Sequence, residues 1–379
     1  MFSPERMKRV HLARYAPQKI STKMPRALVT GGLGYIGSHT VVALIFNGWK
    51  VDIIDKREDP QVLNEIQTIT GQRPRTFTLD LAYDTDDTPD LLSDSLELIL
   101  IGSHYDAVLH FAAFKSVAES VKQPLMYYHN NLVSTMHLLQ KAVEYGIPRF
   151  IFSSSAAVYG EAHDSKEDQP LSPPNPYAHT KAMIEQILRD VSLVSTMQIT
   201  SLRYFNPIGS WSYGLLSDHS PENLMPRLMK VAQGVESVLP IYGSDYETPD
   251  GTAIRDFVDV DDVAQAHVLA LSSSHKGYRC FNIGSGQGSS VLEVVRAMEN
   301  ALETKIPIQF CARRAGDVAR LTANTDRAKH ELGWSPDFTL QESCSTMKKS
   351  DVQTHLCGSD VWPACVRSDP GLFASKGDP

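Results

Sequence analysis

Short apolar runs alternate with helix-length segments along the chain from Met24 onward. These runs are rich in β-branched and aromatic residues and end in turn residues, which is typical of buried strands. They are RALVTGG, KVDIIDK, RTFTLD, YDAVLHFAA, RFIFSSS and QITSLRYFN. Strands separated by helices usually pair in parallel, because the connection returns the chain to the edge where it started. The pattern therefore predicts an α/β fold built on a doubly wound, Rossmann-like parallel sheet.

The first predicted strand leads through a glycine-rich turn into an apolar helix, in ALVTGGLGYIGSHTVVALIFNGWKVDIID. Gly31, Gly34 and Gly37 follow a G-x-x-G-x-x-G spacing, which allows a tight turn and a close approach to a pyrophosphate. The start of the helix offers free N–H groups to the phosphates. Asp55 ends the second strand, where a carboxylate can accept hydrogen bonds from the adenosine ribose. We interpret this unit as a dinucleotide-binding site.

Asp55 also bears on which dinucleotide binds. A carboxylate at this position repels the 2′-phosphate of NADP, so NAD is preferred. Lys56 and Arg57 follow directly and could partly offset that repulsion. We predict NAD as the cofactor.

Tyr177 and Lys181 stand four residues apart in NPYAHTKAM, where a helix is predicted to begin. Residues at this spacing share one helix face, and on an exposed helix such a pair is common and carries no function. Beside a nicotinamide site, the ammonium and the nicotinamide charge would lower the pKa of the phenol, as a base that acts on an alcohol requires. Ser153, Ser154 and Ser155 end the preceding strand at the ligand-binding edge. Together these residue types indicate hydride transfer.

Composition and charge narrow the class of protein. The 379 residues are 42% apolar and 21% charged, as in ordinary globular proteins, and suffice for two domains. A net charge of −8 argues against nucleic acid as a partner. The five cysteines show no C-x-x-C spacing, so neither a metal site nor a disulfide framework is predicted. No apolar run is long enough to span a membrane, and we expect a cytoplasmic protein.

The two ends of the chain differ from the rest. Residues 1–23 are basic and almost free of acids, as in an organelle transit peptide, although we favour a disordered extension upstream of Met24. Residues 341–379 show no clear helical periodicity and hold three of the five cysteines. This atypical tail looks like an altered or misread terminus.

Segments from about Arg26 to Trp334 resemble one protein family. They are VTGGLGYIGSHT, VLHFAAFKSVAESV, PLMYYHNN, FIFSSSAAVYG, NPYAHTKAMIEQIL, LRYFNPIG, NLMP, DGTAIRDFVDVDDVAQAHVLAL and RRAGDVA. In them the chain resembles the extended short-chain dehydrogenase/reductase superfamily and, within it, the UDP-glucose 4-epimerases (UDP-galactose 4-epimerases). The resemblance implies an NAD-dependent isomerase of galactose metabolism, which interconverts UDP-glucose and UDP-galactose through a transient 4-keto sugar.

The resemblance also implies roles for single residues. Tyr177 would be the catalytic base, Lys181 its partner, and Ser155 the serine that hydrogen-bonds the sugar 4-hydroxyl. The implied cofactor contacts are Gly31, Gly34, Tyr35, Ile36, Gly37, Asp55, Asp80, Leu81, Phe111, Ala112, Ala113, Lys115, Asn130, Ser153, Tyr177 and Lys181. The implied UDP-sugar contacts are Ser155, Asn206, Asn223, Leu224, Arg255, Arg314, Asp317 and Leu321.

Leu321 bears on the width of the sugar pocket. The resemblance places it near the sugar 2-substituent, where a bulky tyrosine in the family excludes N-acetyl sugars and a smaller residue admits them. We expect UDP-N-acetylglucosamine and UDP-N-acetylgalactosamine to interconvert as well. The alternative is that Leu321 simply packs in the core.

Two other functions stay open. Nucleotide-sugar 4,6-dehydratases and UDP-glucuronate decarboxylases share the fold, but they usually carry an acidic residue just after the serine or threonine. Ala156 and Ala157 follow Ser155 here, which leaves no obvious acid for a dehydration. A non-catalytic NAD-sensing protein would be expected to lose Tyr177 and Lys181.

The resemblance finally implies a smaller C-terminal substrate-binding domain. We predict an NAD-binding Rossmann domain over residues 24–205 and a mainly UDP-sugar-binding domain over 206–340. Within the latter, residues 254–275 are expected to return to the NAD domain. A homodimer is expected by family analogy alone.

Overall fold

The computed structural model describes residues 24–83, 95–211, 214–314 and 316–348. The predicted N-terminal extension, 1–23, and most of the predicted tail, 349–379, lie outside the described residues. The strands are β1 (Arg26–Thr30), β2 (Lys50–Asp55), β3 (Arg75–Thr78), β4 (Ala107–His110), β5 (Arg149–Ser155), β6 (Ala162–Ser165), β7 (Gln198–Tyr204), β8 (Asn206–Ile208), β9 (Leu239–Tyr242), β10 (Ile254–Asp259), β11 (Tyr278–Ile283), β12 (Gly288–Ser290), β13 (Ile308–Cys311) and β14 (Arg320–Ala323). The α-helices are α1 (Tyr35–Phe46), α2 (Pro60–Thr70), α3 (Leu96–Ile101), α4 (Val117–Lys122), α5 (Pro124–Tyr128), α6 (Ser134–Glu144), α7 (Pro176–Val194), α8 (Leu224–Ala232), α9 (Val260–Ser272), α10 (Val291–Leu302) and α11 (Leu340–Thr346). One-turn segments of 3₁₀-helix at Ala156–Tyr159 and of π-helix at His129–Val133 and Ala328–Leu332 join them.

Within these described ranges, seven strands form one parallel sheet in the order β11-β7-β5-β4-β1-β2-β3. The predicted α/β class with a doubly wound sheet is confirmed, and the six predicted strands are all present. The seventh strand, β11, was not predicted because Arg279 and Asn282 interrupt its apolar run. Among the described helices, none combines the length and apolar character that a membrane crossing requires.

The order of the sheet reverses between β1 and β4, which opens a crevice at the carboxyl ends of those strands. Helix α1 follows β1 and is buried along most of its length. It packs against the sheet and against α9, whose side chains Val263, Ala266 and Val268 belong to the same apolar core as Val41 and Val42 of α1. A helix that is apolar all round needs such cover on both sides.

A second sheet lies beyond the carboxyl edge of the first. Its central strand, β10, pairs with β12 and β14 through its first residues and with β8 through its last residues, and β14 also pairs with β6. Strands β13 and β9 pair separately. The predicted domain boundaries stay a prediction, but the sheets cross them: β6 lies before residue 206, and β11 joins the main sheet beyond residue 275.

Helix α11 lies at the start of the segment from residue 341, whose sequence shows no clear helical periodicity. The Thr339 hydroxyl accepts a hydrogen bond from the Glu342 backbone N–H, and the Glu342 carboxylate accepts one from the Thr339 backbone N–H. Cys344 and Met347 then pack in the core with Met298 of α10. The capping box and these buried contacts suffice to stabilise a helix of seven residues. Seven residues are too few to show a periodic pattern in the sequence.

A buried ion pair fastens α7 to the sheet. The Arg203 guanidinium on β7 donates to both oxygens of the Glu185 carboxylate, at 2.9 and 2.6 Å, and both side chains are fully buried. Ser154 on β5 donates to the same carboxylate at 2.6 Å. Arg203 also donates to the Tyr159 hydroxyl, which in turn donates to Asn282 on β11. The network therefore joins three strands of the sheet to α7.

Glu185→Ala should lower the free energy of unfolding by about 3–5 kcal/mol, because the buried Arg203 guanidinium loses its counter-charge. Urea denaturation measures this loss. Gln186→Ala, on the exposed side of the same helix, is the matched control and should change stability by about 0.5 kcal/mol or less. A loss below about 1 kcal/mol for Glu185→Ala would show that other contacts hold α7.

Candidate active site

The predicted cofactor contacts gather at one edge of the main sheet. Parallel strands end at the same edge, so the segments that follow them lie side by side there. The glycine turn follows β1, Asp55 ends β2, Asp80 and Leu81 follow β3, and Ser153 lies near the end of β5. The remaining contacts on this edge, which follow β4, are Phe111, Ala112, Ala113 and Lys115.

The glycine turn has the geometry of a phosphate cradle. Gly31 adopts a left-handed φ of 69°, and an added Cβ would lie 2.7 Å from the Ala112 backbone nitrogen. A Cβ on Gly37 would overlap the Gly31 carbonyl oxygen. Gly34 is exposed and begins α1 without a capping side chain, which leaves the helix N–H groups for an anion. Tyr35 and Ile36 form the first turn of that helix, and the Tyr35 hydroxyl donates to the Gly209 carbonyl at 2.8 Å. These residues fit a dinucleotide pyrophosphate.

Asp55 presents its carboxylate beside this turn. Burial raises the pKa of Asp55, while hydrogen bonds from the Leu33 and Arg57 backbone N–H groups oppose that rise. The Lys56 ammonium lies 4.0 Å from the centre of the Phe114 ring, so it already has a partner on the ring face. A carboxylate with spare lone pairs at the end of β2 suits the ribose hydroxyls.

Asn131 supports the loop after β4 and was not predicted. Its side-chain oxygen accepts from the Phe114 backbone N–H at 2.8 Å, and its amide donates to the Phe114 carbonyl and the Thr180 hydroxyl. The predicted contact Asn130 donates to the side chain of Asn131 at 2.9 Å. The only sequence signal was a pair of asparagines within an otherwise apolar stretch, PLMYYHNNLV.

The structure brings Tyr177, Lys181 and Ser155 together. Asn175 caps α7 by accepting from the Ala178 backbone N–H, which places Tyr177 in the first turn. The Lys181 ammonium donates to the Ser153 carbonyl at 2.7 Å and lies 5.9 Å from the centre of the Tyr177 ring. Ser155 lies close enough to Tyr177 to lower the pKa of its phenol.

Burial is the largest influence on the pKa values of Tyr177 and Lys181. It lowers the pKa of Lys181 to about 7, and the negative charge of Glu185 opposes the fall. Burial also raises the pKa of Tyr177, against the hydrogen bond from Ser155. The sequence predicts a lowered pKa for Tyr177 beside the nicotinamide charge, whereas the polypeptide alone raises that pKa. The physical reason is that desolvation of the phenol outweighs its hydrogen bond.

The predicted substrate contacts come from the second sheet and the segments beside it. Asn206 on β8 pairs with Phe257 of β10, two residues beyond Arg255 on the same strand. One Arg255 guanidinium nitrogen lies 3.9 Å from the Asp317 carboxylate. The Arg314 guanidinium lies 3.8 Å from the centre of the Tyr242 ring. These arginines supply planar donors of the kind that diphosphates accept.

Tyr242 and Arg227 were not predicted from the sequence. Arg227 on α8 donates to the Tyr242 hydroxyl at 3.2 Å. The hydrogen bond from Arg227 and the positive charge of Arg314 lower the pKa of Tyr242. Neither residue stands in a segment with a recognisable spacing, and only the folded chain brings α8 to β9.

Leu321 is 8% exposed and packs with Ala156 and Phe205, which follow β5 and β7. It pairs with Arg255 across the parallel strands β10 and β14. Leu321 is thus buried and also close in the chain fold to the segments that carry Ser155 and Asn206. Asn223 and Leu224 begin α8, and the Asn223 amide donates to Asp218 at 2.7 Å.

Comparisons with known proteins agree with this geometry. Residues 28–347 match the family model of GDP-mannose 4,6 dehydratase. The chain is 42% identical to UDP-glucose 4-epimerase 3 of Oryza sativa subsp. japonica, over 84% of this chain and 87% of that relative. It is 41% identical to UDP-glucose 4-epimerase of Bacillus subtilis (strain 168), over 84% and 94%. The crystal structure of UDP-glucose 4-epimerase from Bifidobacterium longum in complex with NAD+ and UDP matches with a TM-score of 0.80 at 37% identity, over 86% and 97%.

Gly37→Ala should abolish dinucleotide binding, because its methyl group would overlap the Gly31 carbonyl and push α1 away from the turn. Fluorescence titration with NAD measures this loss. In Gly34→Ala the added methyl would lie 3.3 Å from the same carbonyl oxygen, so this variant should retain more affinity. Equal affinities in the two variants would contradict the cradle geometry.

Proposed function

The chain belongs to the UDP-glucose 4-epimerase family, and we propose that it interconverts UDP-glucose and UDP-galactose through a transient 4-keto sugar. It is an NAD-dependent isomerase of nucleotide sugars, and the family resemblance found in the sequence is confirmed. The observation that carries the assignment of the chemistry is the meeting of Ser155, Tyr177 and Lys181 at the carboxyl edge of the sheet.

The proposed roles of the residues follow from their positions. Tyr177 accepts the proton of the sugar 4-hydroxyl and later returns it, while Ser155 hydrogen-bonds the same hydroxyl. Lys181, held by the Ser153 carbonyl, places a positive charge near the phenol and favours its ionised form. Bound NAD supplies the acceptor and donor of the hydride at the sugar C4, so the reaction has no net redox change.

The residues proposed to hold NAD are those of the glycine turn, Asp55 and the segments after β3, β4 and β5. Asn130 and Lys115 complete this proposed set. Asp55 is expected to favour NAD over NADP, since its carboxylate would repel a 2′-phosphate. The contact of Lys56 with Phe114 supports this preference, because that ammonium is engaged on the ring.

The substrate is proposed to be anchored through its diphosphate. Arg255 and Arg314 would bind the phosphate oxygens, and Asn206, Asn223, Leu224 and Asp317 would complete the UDP-sugar contacts. A 4-keto sugar must turn within the pocket without leaving it, so the anchor has to hold while the sugar moves. Burial lowers the pKa of Arg255, and the nearby Asp317 carboxylate opposes that fall, so this cation is already compensated before an anion arrives.

Two alternative functions, a nucleotide-sugar dehydratase and a non-catalytic NAD sensor, fit the residues of the site less well. The family model that matches bears the name of a 4,6-dehydratase, but Ala156 and Ala157 follow Ser155, and neither can supply the acid of a dehydration. A protein that only senses NAD would not need Tyr177 and Lys181 beside Ser155. Incubation with UDP-galactose distinguishes the three, since the product is UDP-glucose, a 4-keto-6-deoxy sugar, or none.

A cytoplasmic location is also proposed from the sequence, and a homodimer by analogy with the family. Analytical ultracentrifugation of the full chain tests the second of these. A monomer at micromolar concentration would contradict the proposed homodimer.

Tyr177→Phe should keep its fold and bound NAD but lose about 10²–10⁴-fold in turnover, because the proton acceptor is gone. A coupled assay for UDP-glucose formed from UDP-galactose measures the loss. Tyr145→Phe is the control, since that hydroxyl contacts Glu97, away from Ser155, and should leave turnover unchanged. Wild-type turnover in Tyr177→Phe would refute the proposed role of the phenol.

Leu321→Tyr tests the width of the sugar pocket. If Leu321 lines the space beside the sugar 2-substituent, the wild-type protein also epimerises UDP-N-acetylgalactosamine, and the larger side chain should reduce that activity about 10–200-fold while sparing UDP-galactose. Leu321→Met conserves the volume and should keep both activities. A wild-type protein that turns over UDP-galactose alone would show that another group closes the pocket.

A further inference from the structure

Two polar bridges join the loop after β4 to the loop before α8. The Lys115 ammonium lies 3.9 Å from the Asp218 carboxylate, and the Ser116 hydroxyl donates to the Glu222 carboxylate at 2.9 Å. Lys115 and Ser116 belong to the side that is proposed to hold NAD. Asp218 and Glu222 belong to the side that is proposed to hold the UDP-sugar. The bridges therefore lie where the two ligands would approach each other.

Asp218 is the more firmly held of the two acids. Its side chain is 8% exposed, compared with 56% for Lys115. One of its oxygens accepts from the Ser220 backbone N–H at 3.0 Å, and the other accepts from the Asn223 amide at 2.7 Å. A single carboxylate thus holds the Asn223 amide from its own loop and attracts the Lys115 ammonium from the opposite loop.

The contact with Asp218 determines how the Asn223 side chain is oriented. Asn223 occupies the N-cap of α8, where an asparagine usually accepts a hydrogen bond from the first helical turn. Its side chain makes no such bond. The amide nitrogen points instead to Asp218, so the side-chain oxygen is turned away from that carboxylate. Asn223 thus binds Asp218 instead of capping α8.

We propose that Asp218 is a positioning residue for the UDP-sugar, which orients Asn223 and draws Lys115 to the same point. The proposal rests on the proposed function, because Asn223 and Lys115 act on a ligand only if the chain binds a UDP-sugar beside NAD. Asp218 touches no reacting atom in this scheme. Its removal should therefore weaken the binding of substrate and transition state alike, which raises KM and leaves kcat nearly unchanged.

Steady-state kinetics of the NAD-loaded protein with UDP-galactose test this split. Asp218→Ala should raise KM about tenfold and change kcat less than about threefold, since only uniform binding is lost. Asp218→Asn should raise KM about threefold, because its amide oxygen can still accept from Asn223 while the attraction to the half-exposed Lys115 is lost. A fall in kcat with KM unchanged, in either variant, would overturn the proposal.

A double-mutant cycle tests the route through Asn223. Asn223→Ala should raise KM in the wild-type background but add little in the Asp218→Ala background, because the amide has already lost its orientation there. Additive effects would overturn the proposal. Glu222→Gln is the matched control: it weakens the neighbouring bridge and should leave KM within about twofold of the wild-type value. If Glu222→Gln raised KM as much as Asp218→Ala does, any loss of contact between the two loops would explain the result. That outcome would also overturn the proposal.

Binding measured without turnover separates this proposal from the proposed function. Calorimetric titration of UDP-galactose into NAD-loaded Tyr177→Phe, with and without Asp218→Ala, reports affinity alone. We expect about tenfold weaker binding in the double variant. Binding that is equal in both would overturn the role of Asp218 and leave the proposed function standing. No binding in Tyr177→Phe itself would overturn both.

Discussion

The ion pair between Glu185 and Arg203 joins the chemistry of the site to the core of the fold. Both side chains are fully buried, and burying two charges is tolerable only when their hydrogen bonds are complete. Tyr177, Lys181 and Glu185 stand at successive four-residue intervals on α7, so they share the helix face that meets the sheet. Fastening Glu185 to β7 therefore also sets the rotation of α7, and with it the direction of the phenol and the ammonium.

The burial that accompanies the packing of α7 on the sheet works against ionisation of the Tyr177 and Lys181 side chains. It lowers the pKa of Lys181 to about 7, and the charge of Glu185 one turn further on opposes that fall. It raises the pKa of Tyr177, and the hydrogen bond from Ser155 offsets only part of the rise. The polypeptide alone thus holds a neutral phenol, and a base at this position depends on positive charge from Lys181 and from a bound cofactor together.

The sequence predicted the features that are local. The six strands were recognisable from apolar runs, and the spacing of Gly31 and Gly37 anticipated the turn. Glu185 could also have been found, since it continues the four-residue series of Tyr177 and Lys181. Strand β11 was not predicted because polar residues interrupt its apolar run. Helix α11 was not predicted because the segment that its capping box stabilises is too short to show a periodic pattern. The contact of Asp218 with Lys115 has no local signal, since it joins segments about one hundred residues apart.

The pairing of β10 with β14 suggests how such a site changes its substrate range. Arg255 and Leu321 are partners in this parallel register, so their side chains emerge on the same face of the second sheet. The strands are held by backbone hydrogen bonds, which do not depend on the side chain at residue 321. If Leu321 and Arg255 have their proposed roles, a substitution at residue 321 would alter the wall beside the sugar without moving the strand that carries the diphosphate anchor. In the proposed site, the width of the pocket could therefore vary while Arg255 and Tyr177 stay in place.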